Sequence, residues 1–189
     1  MIAGRYKGRR LRAPTWEGLR PTSDRLRETL FNVLAPRIAG ARVLDGYAGT
    51  GAVGIEALSR GAVHVIFVER DRRAADLIAA NVAACGIEQG YTIQCAEVGA
   101  ALDALPASDS FDLILLDPPY DAERVPEVLA TAAHHVAAGG LVVLERATRR
   151  QTEVPAGLTR LRDIKSGDST LTVMAVGDSE FGVRDSEGE

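Results

Sequence analysis

The residues best equipped for chemistry are Asp117-Pro118-Pro119-Tyr120, which follow the apolar run Leu113-Ile114-Leu115-Leu116. Consecutive prolines remove two backbone donors and stiffen the chain, so the loop presents acceptors: the Asp117 carboxylate and the Pro118 carbonyl, beside the aromatic face of Tyr120. Such a set suits an exocyclic amine on a planar base. The amine lone pair is delocalised into the ring, and acceptors that hold its N–H groups favour pyramidalisation while an aromatic face stacks on the base. Guanine N2, adenine N6 and cytosine N4 all qualify. A base taken from a helix must first be flipped out of its stack. Alone, the tetrapeptide is equally a rigid strand-to-helix turn.

A second feature decides between these readings. Val43-Leu44-Asp45-Gly46-Tyr47-Ala48-Gly49-Thr50-Gly51-Ala52-Val53-Gly54 contains G-x-G-x-x-G after a strand-like run and at the opening of a helix. Glycines there allow tight turning and close approach of backbone to a ligand. Nicotinamide and flavin enzymes use the same device, but Asp45 lies four residues before Gly49, where a carboxylate would repel a pyrophosphate. S-adenosylmethionine carries a sulfonium and an ammonium and no phosphate, so the acid favours that cofactor. The capping of the following helix is the structural alternative for Asp45. Glu69 ends the next strand-like run, Val65-Ile66-Phe67-Val68, where an acid can accept from both ribose hydroxyls. Glu97, past the third run, is either an acceptor for the adenine amino group or an ordinary helix-starting acid. With donor and acceptor sites together, the chemistry is in-line attack of an amine on a sulfonium methyl, with Asp117 or water taking the proton and positioning supplying most of the acceleration.

These groups need a scaffold that carries them to one edge. Arg42 to Asp45, His64 to Glu69, Tyr91 to Cys95, Asp112 to Asp117 and Leu141 to Glu145 read as strands, several too apolar to have a wet face. Helical segments alternate with them: Ala52 to Arg60, Arg72 to Cys85, Val98 to Leu105 and Val125 to Ala137, the last stopping before Gly139-Gly140. The pattern predicts a parallel α/β sheet with helices on both faces, whose ligands bind at the carboxyl ends of the strands. Leu158 to Lys165 and Thr170 to Val176 are joined by only Ser166-Gly167-Asp168-Ser169, too short for a parallel crossover, so they must close as an antiparallel hairpin. Before the alternation, Arg20 to Asp24 supplies helix-start chemistry, and Leu26, Leu30, Phe31, Val33 and Leu34 form an apolar face ending near Pro36 and Gly40. Met1 to Pro14 has no strong period and reads as a short β-hairpin or arm.

At 189 residues the chain is the size of one domain, and 46% hydrophobic with 25% charged residues excludes a disordered chain. A net charge of −4 argues against a nucleic-acid partner only as an average. Met1 to Arg27 carries eight Lys/Arg against Glu17 and Asp24, or +6, and the remaining 14 cations and 24 acids leave −10. No membrane span or secretory signal is evident, which predicts a cytoplasmic protein. Cys85 and Cys95 lack metal-ligand or disulfide spacing, so we expect two buried, reduced thiols and no metal. His64, His134 and His135 have no ligand-spaced partner.

The chain resembles a known family. Gly4 to Leu11, Arg20 to Asn32, and Ala48-Gly49-Thr50-Gly51 through Glu56 to Ala62 are similar to the bacterial 16S ribosomal RNA guanine-N2 methyltransferases, within the class I S-adenosylmethionine-dependent methyltransferases. The resemblance covers Met1 to Val176. It implies a Rossmann-like, mostly parallel seven-stranded sheet with the C-terminal antiparallel hairpin, divided as an arm over 1–21, a methyltransferase domain over 22–177 and a flexible tail over 178–189. It implies methylation of guanine 966 of small-subunit ribosomal RNA, in an assembled or partly assembled subunit. Apart from the resemblance, we expect a monomer with no membrane partner. The cofactor roles fall to Asp45, Gly46, Ala48, Gly49, Gly51, Glu69 and Glu97, and the amine-binding roles to Asp117, Pro118 and Tyr120. The family loop usually has Leu-Phe where this chain has Gly46-Tyr47, which should alter packing near the methionine end. The basic arm would meet RNA, with Arg9, Arg10 and Arg12 on phosphates and Arg20 and Arg25 lining the route to the cofactor. Arg146, Arg149 and Arg150 either extend that surface or are merely solvated, and Trp16 is better suited to covering a core edge than to stacking on a base. Two alternatives stand beside this reading: a DNA adenine-N6 methyltransferase, for which the chain has no target-recognition insertion, and a non-catalytic RNA-binding assembly factor.

Overall fold

The computed structural model describes residues 1–16, 24–119, 122 and 124–177. The expected helix start at Arg20 to Ser23 and the tail 178–189 lie outside the described residues. Strands β1 (Arg42–Gly46), β2 (His64–Glu69), β3 (Tyr91–Cys95), β4 (Phe111–Leu116), β5 (Val136–Ala147), β6 (Leu158–Ser166) and β7 (Ser169–Val176) form one sheet in the order β3-β2-β1-β4-β5-β7-β6. The first five are parallel, and β7 runs antiparallel between β5 and β6. Both the alternating α/β plan and the closing hairpin are as the sequence predicts.

The central strands are apolar throughout because they are buried on both faces. Val43, Val65, Phe67, Leu113, Leu115, Leu141 and Val143 face one layer, made by α1 (Asp24–Ile38), α2 (Ala52–Ser59) and α3 (Arg72–Ala84). The alternate residues, among them Leu44, Ile66, Val68, Ile114, Leu116 and Val142, face α4 (Val98–Asp103) and α5 (Val125–Ala133). Polar residues at the carboxyl ends of β1, β4 and β5 inherit this parity: Asp45, Asp117 and Glu145 continue the rows of Val43, Leu115 and Val143 toward the α1 and α2 layer.

Helix α1 ends at Ile38, between Pro36 and Gly40 as expected; Pro36 sits inside its last turn, and its lost hydrogen bond falls on the carbonyl of exposed Asn32, within reach of water. Three details differ from expectation. Helix α5 stops at Ala133, and the stretch through Gly139-Gly140 is a bulged start to β5: Val136 pairs with Phe111 before the register becomes regular at Leu141 opposite Leu113. Gly139 adopts φ +75°, so this glycine pair marks a kink within a strand. Cys85 is buried as expected, but Cys95 ends the edge strand β3 and is exposed.

The last concerns residues 1–16. Of hairpin or arm, the structure has the arm: these residues form turns and bends and no strand. Their backbone groups are met by side chains of α2 and α3 instead of by a ladder. Glu56, fully buried in α2, accepts from Ile2 N at 2.8 Å, Ala3 N at 2.9 Å and Arg60 Nε at 2.8 Å. The Ser59 hydroxyl accepts from Tyr6 N at 2.9 Å, and Asn81 of α3 accepts from Arg12 N at 2.7 Å. Removing a buried ionic partner strands the groups it satisfied, typically at a cost of about 3 kcal/mol or more. Glu56→Ala should therefore lower the urea-unfolding free energy by roughly that amount and open the arm to tryptic cleavage, while Glu28→Ala, on the exposed side of α1, should not. A fully protected arm in Glu56→Ala would contradict this account.

Candidate active site

The site lies where the chain reverses its order across the sheet, between β1 and β4, the crevice in which open α/β sheets take ligands. Past β1 the backbone doubles back: Tyr47, Gly49 and Gly51 adopt φ of 63°, 56° and 76° before α2 begins. Tyr47 is the one non-glycine residue with positive φ among those described, a strained conformation characteristic of functional loops. Gly54 answers a different need. A Cβ there would lie 2.3 Å from Phe67 Cε1 and 2.8 Å from Val65 Cγ1, so α2 can rest on β2 only without that side chain. Gly46 is hemmed in as well, since a Cβ there would lie 2.7 Å from Leu116 Cδ2.

Two acids hold this loop. Asp45 is buried, and its Oδ2 accepts from Gly54 N at 2.8 Å, satisfying one of the orphan donors of the first turn of α2. The capping alternative is thus realised. Burial pushes the Asp45 carboxyl up to about 8, the Gly54 hydrogen bond opposes this, and the negative charges of Asp117 and Glu69 add to the rise. Glu69, also buried, accepts from Gly49 N through Oε2 and from Asp71 N through Oε1, both at 2.9 Å. Ala48 N donates to Val68 O at 3.1 Å, and Asn81 Nδ2 donates to Thr50 O at 2.9 Å. At the rim, exposed Glu97 meets Arg70 at 3.3 Å, and partial burial followed by the charge of Glu97 raises the Tyr47 hydroxyl against the opposing charge of Arg70. Tyr47, Arg70 and Glu97 thereby gather the ends of three strands.

The second half of the site comes from β4. Asp117 is half-buried, its N–H donates to Gly46 O at 3.3 Å, and Pro118 behind it is buried. This hydrogen bond ties the Asp117-Pro118 turn to the glycine loop. Tyr120 lies outside the described residues. Asp45, Asp117 and Glu145 together line a cleft closed on the other side by Leu26 and Leu30 of α1 and by Val53 of α2. Among the described residues no group of His, Cys, Asp and Glu is arranged to hold a metal ion.

The basic residues divide. Arg10 and Arg12 are exposed, as is Arg25 on α1, whereas the Arg9 guanidinium donates to Ala84 O at 3.2 Å and lies over Tyr6; Arg20 is outside the described residues. Trp16 is half-buried beneath the Arg73 guanidinium, 5.1 Å from its ring centroid. Arg146 is no surface extension: it is nearly buried, with Asp163 at 2.6 Å and Thr172 Oγ1 at 2.9 Å. Arg149 and Arg150 are exposed. Sequence reasoning missed Asn81, a polar residue on the apolar face of α3 with Ala74, Ile78 and Val82, and it missed Glu145, which follows the apolar run Leu141 to Leu144 as Asp117 follows Leu113 to Leu116.

The profile of the family described as conserved hypothetical protein 95 matches residues 1–175. The ribosomal RNA small subunit methyltransferase D of Haemophilus influenzae is 34% identical over 174 residues, 88% of each chain. The chain belongs to the small subunit methyltransferase D family. Other members and neighbours agree with that placement: a candidate rRNA methyltransferase of Bacillus subtilis, YlbH, is 35% identical over 93% of this chain and 96% of its own. A solved candidate methyltransferase of Escherichia coli superposes with a TM-score of 0.81 at 31% identity, over 93% of this chain and 96% of that one. This member of the methyltransferase D family is accordingly a class I, S-adenosylmethionine-dependent methyltransferase. Its own residues fit that cofactor, since the loop turns through left-handed glycines at Gly49 and Gly51, Glu69 holds the Gly49 N–H, and the carboxyl of Asp45 sits where a cation would relieve its raised pKa.

Because the folded pKa of Asp45 exceeds the unfolded value, its burial favours folding below pH 3.8 and loses that benefit as pH rises to about 8. Asp45→Asn should therefore gain thermal stability over the parent progressively across that window, most at pH 8 and above. Cofactor affinity measured by calorimetry should rise by up to about tenfold between pH 6 and pH 7 in the parent as the acid ionises on binding, and stay flat and weaker in Asp45→Asn. Parallel pH profiles for the two proteins would refute the role of this ionisation.

Proposed function

We propose that this protein transfers a methyl group from S-adenosylmethionine to N2 of guanine 966 in 16S ribosomal RNA, with the small subunit, assembled or in assembly, as substrate. The observation that carries the reading is the pairing of acceptors at Asp117 and Pro118 with the glycine loop one strand away, joined by the Asp117 N to Gly46 O hydrogen bond. The relatives named as ribosomal RNA small subunit methyltransferase D support an RNA substrate.

In this reading Asp45, Gly46, Ala48, Gly49, Gly51, Glu69 and Glu97 hold the cofactor: the glycines by leaving backbone exposed, Glu69 at the ribose, Glu97 at the adenine rim and Asp45 toward the cationic end. When bound, the cofactor supplies an electrophilic methyl on a sulfonium whose sulfur takes the electron pair of the breaking bond. Asp117 and the Pro118 carbonyl accept the N–H groups of the target amine and turn its lone pair out of the ring. Asp117 then receives the proton that the nitrogen must lose and passes it to water. Leu26, Leu30 and Val53 keep water from the cleft, which strengthens each of these hydrogen bonds. Tyr120 is assigned the stacking face on sequence grounds. The exposed Arg10 and Arg12 meet phosphates, and Arg25, exposed on α1, lines the route to the cofactor together with Arg20; Arg9 contributes charge from a position already fixed by Ala84.

Asp117→Ala should reduce methyl transfer by at least about 1000-fold while leaving cofactor and subunit binding within twofold of the parent, about the experimental spread. With labelled cofactor, unmodified small subunits should take up label in guanine and duplex DNA should not; label in DNA adenine would instead establish the adenine-N6 reading. The arm is clamped by Glu56 and Asn81, so charge reversal tests it better than deletion. Arg10→Glu/Arg12→Glu should weaken subunit binding and flatten the logarithmic salt dependence by roughly 2, with cofactor affinity unchanged. An unaltered salt slope would remove the phosphate contacts from this account.

A further inference from the structure

We infer that Glu145 is the residue that selects guanine, by accepting the ring N1–H of the base whose N2 amine Asp117 holds; the inference rests on the amine-methylating function proposed above. The cleft is shared by carboxylates from three neighbouring strands, in the lateral order Asp45 on β1, Asp117 on β4 and Glu145 on β5. The register that pairs Leu115 with Val143 and Leu116 with Leu144 continues to place Asp117 beside Glu145, on strands about 4.8 Å apart, with both side chains on the α1 face. Asp45 and the glycine loop lie on the other side of Asp117. A base whose amine meets Asp117 with the methyl donor on the β1 side therefore turns its adjoining ring edge toward β5, where Glu145 stands.

Chemistry then separates the three candidate bases. Beside its amine, guanine presents N1–H, a donor, whereas adenine presents the N1 lone pair and cytosine the N3 lone pair. A second carboxylate accepts from the first and repels the other two, and enzymes that act on a flipped base read it through this edge. Ser169 Oγ donates to Glu145 Oε1 at 3.0 Å, which positions the half-buried carboxylate in the cleft. A carboxylate has lone-pair sites for several donors, so Glu145 can serve a base beside the partners it keeps in the fold. Among the described residues, the cleft wall around it, formed by Leu26, Leu30 and Leu171, is apolar.

The test uses small subunits reconstituted with 16S RNA carrying either guanine or 2-aminopurine at the modified position. 2-Aminopurine keeps the N2 amine but offers a lone pair at N1. The parent protein should prefer guanine by about 100-fold in kcat/KM. Glu145→Gln can donate to N1, so its preference should fall to about tenfold or less, with cofactor affinity by calorimetry unchanged. A structural role alone would lower both substrates equally, and an unchanged ratio in Glu145→Gln would overturn the inference while leaving guanine methylation intact. Failure of the parent to methylate guanine would instead overturn the functional reading and the inference together. Should Glu145→Gln not fold, Ser169→Ala, which keeps the carboxylate but removes the hydroxyl that positions it, should lower the parent ratio by about threefold, and a ratio equal to the parent's would overturn the inference by that route.

Discussion

The contact on which the rest of the molecule depends is the seating of α2 directly on β2, with Phe67 occupying the space that any side chain at Gly54 would need. That approach brings the first turn of α2 down onto the strand ends, where the Gly54 N–H reaches Asp45. The loop between them is then too short for ordinary backbone geometry and must pass through left-handed residues at Tyr47, Gly49 and Gly51. Each conformation follows from the one before. Interior packing is dense enough that a single methyl group at Gly54 would displace the helix, its cap and the loop as one unit.

The same arrangement concentrates negative charge at one edge of the sheet. Asp45, Glu69, Asp117 and Glu145 lie at neighbouring strand ends, and the charges of Asp117 and Glu69 add to the desolvation of Asp45. Such clustering opposes folding and persists where function requires it. An edge composed this way is short of donors and cations, and a sulfonium, an ammonium and the N–H groups of a base would supply them. The arm is held outside this cleft, by Glu56 of α2 and Asn81 of α3.

Much of this was legible in the chain. Strands buried on two faces have an apolar run that needs no partner to be recognised, and four residues between Lys165 and Thr170 allow only an antiparallel return. Asp45, Glu69 and Asp117 could be placed because each follows such a run. What stayed hidden was tertiary. Val136 to Gly140 has the composition of a helix end, and only pairing with Phe111 makes it strand. Glu56 and Asn81 look like surface polar residues on helices, because the backbone they satisfy lies about 50 to 70 residues away in sequence. The same holds for Arg146, whose charge is taken up by Asp163. Cys95 is exposed because β3 is an edge strand, and strand order is the part of a sheet that local patterning does not encode.

Asn81 receives Arg12 N and donates to Thr50 O, so a single buried side chain lies between the basic arm and the glycine loop. The offset from the arm to the cleft is therefore fixed like two marks on a ruler. Under the function proposed above, such a protein would choose its target by where a nucleotide falls along a folded surface, and a change in the length of the substrate's own helices would mislead it more than a change in their sequence.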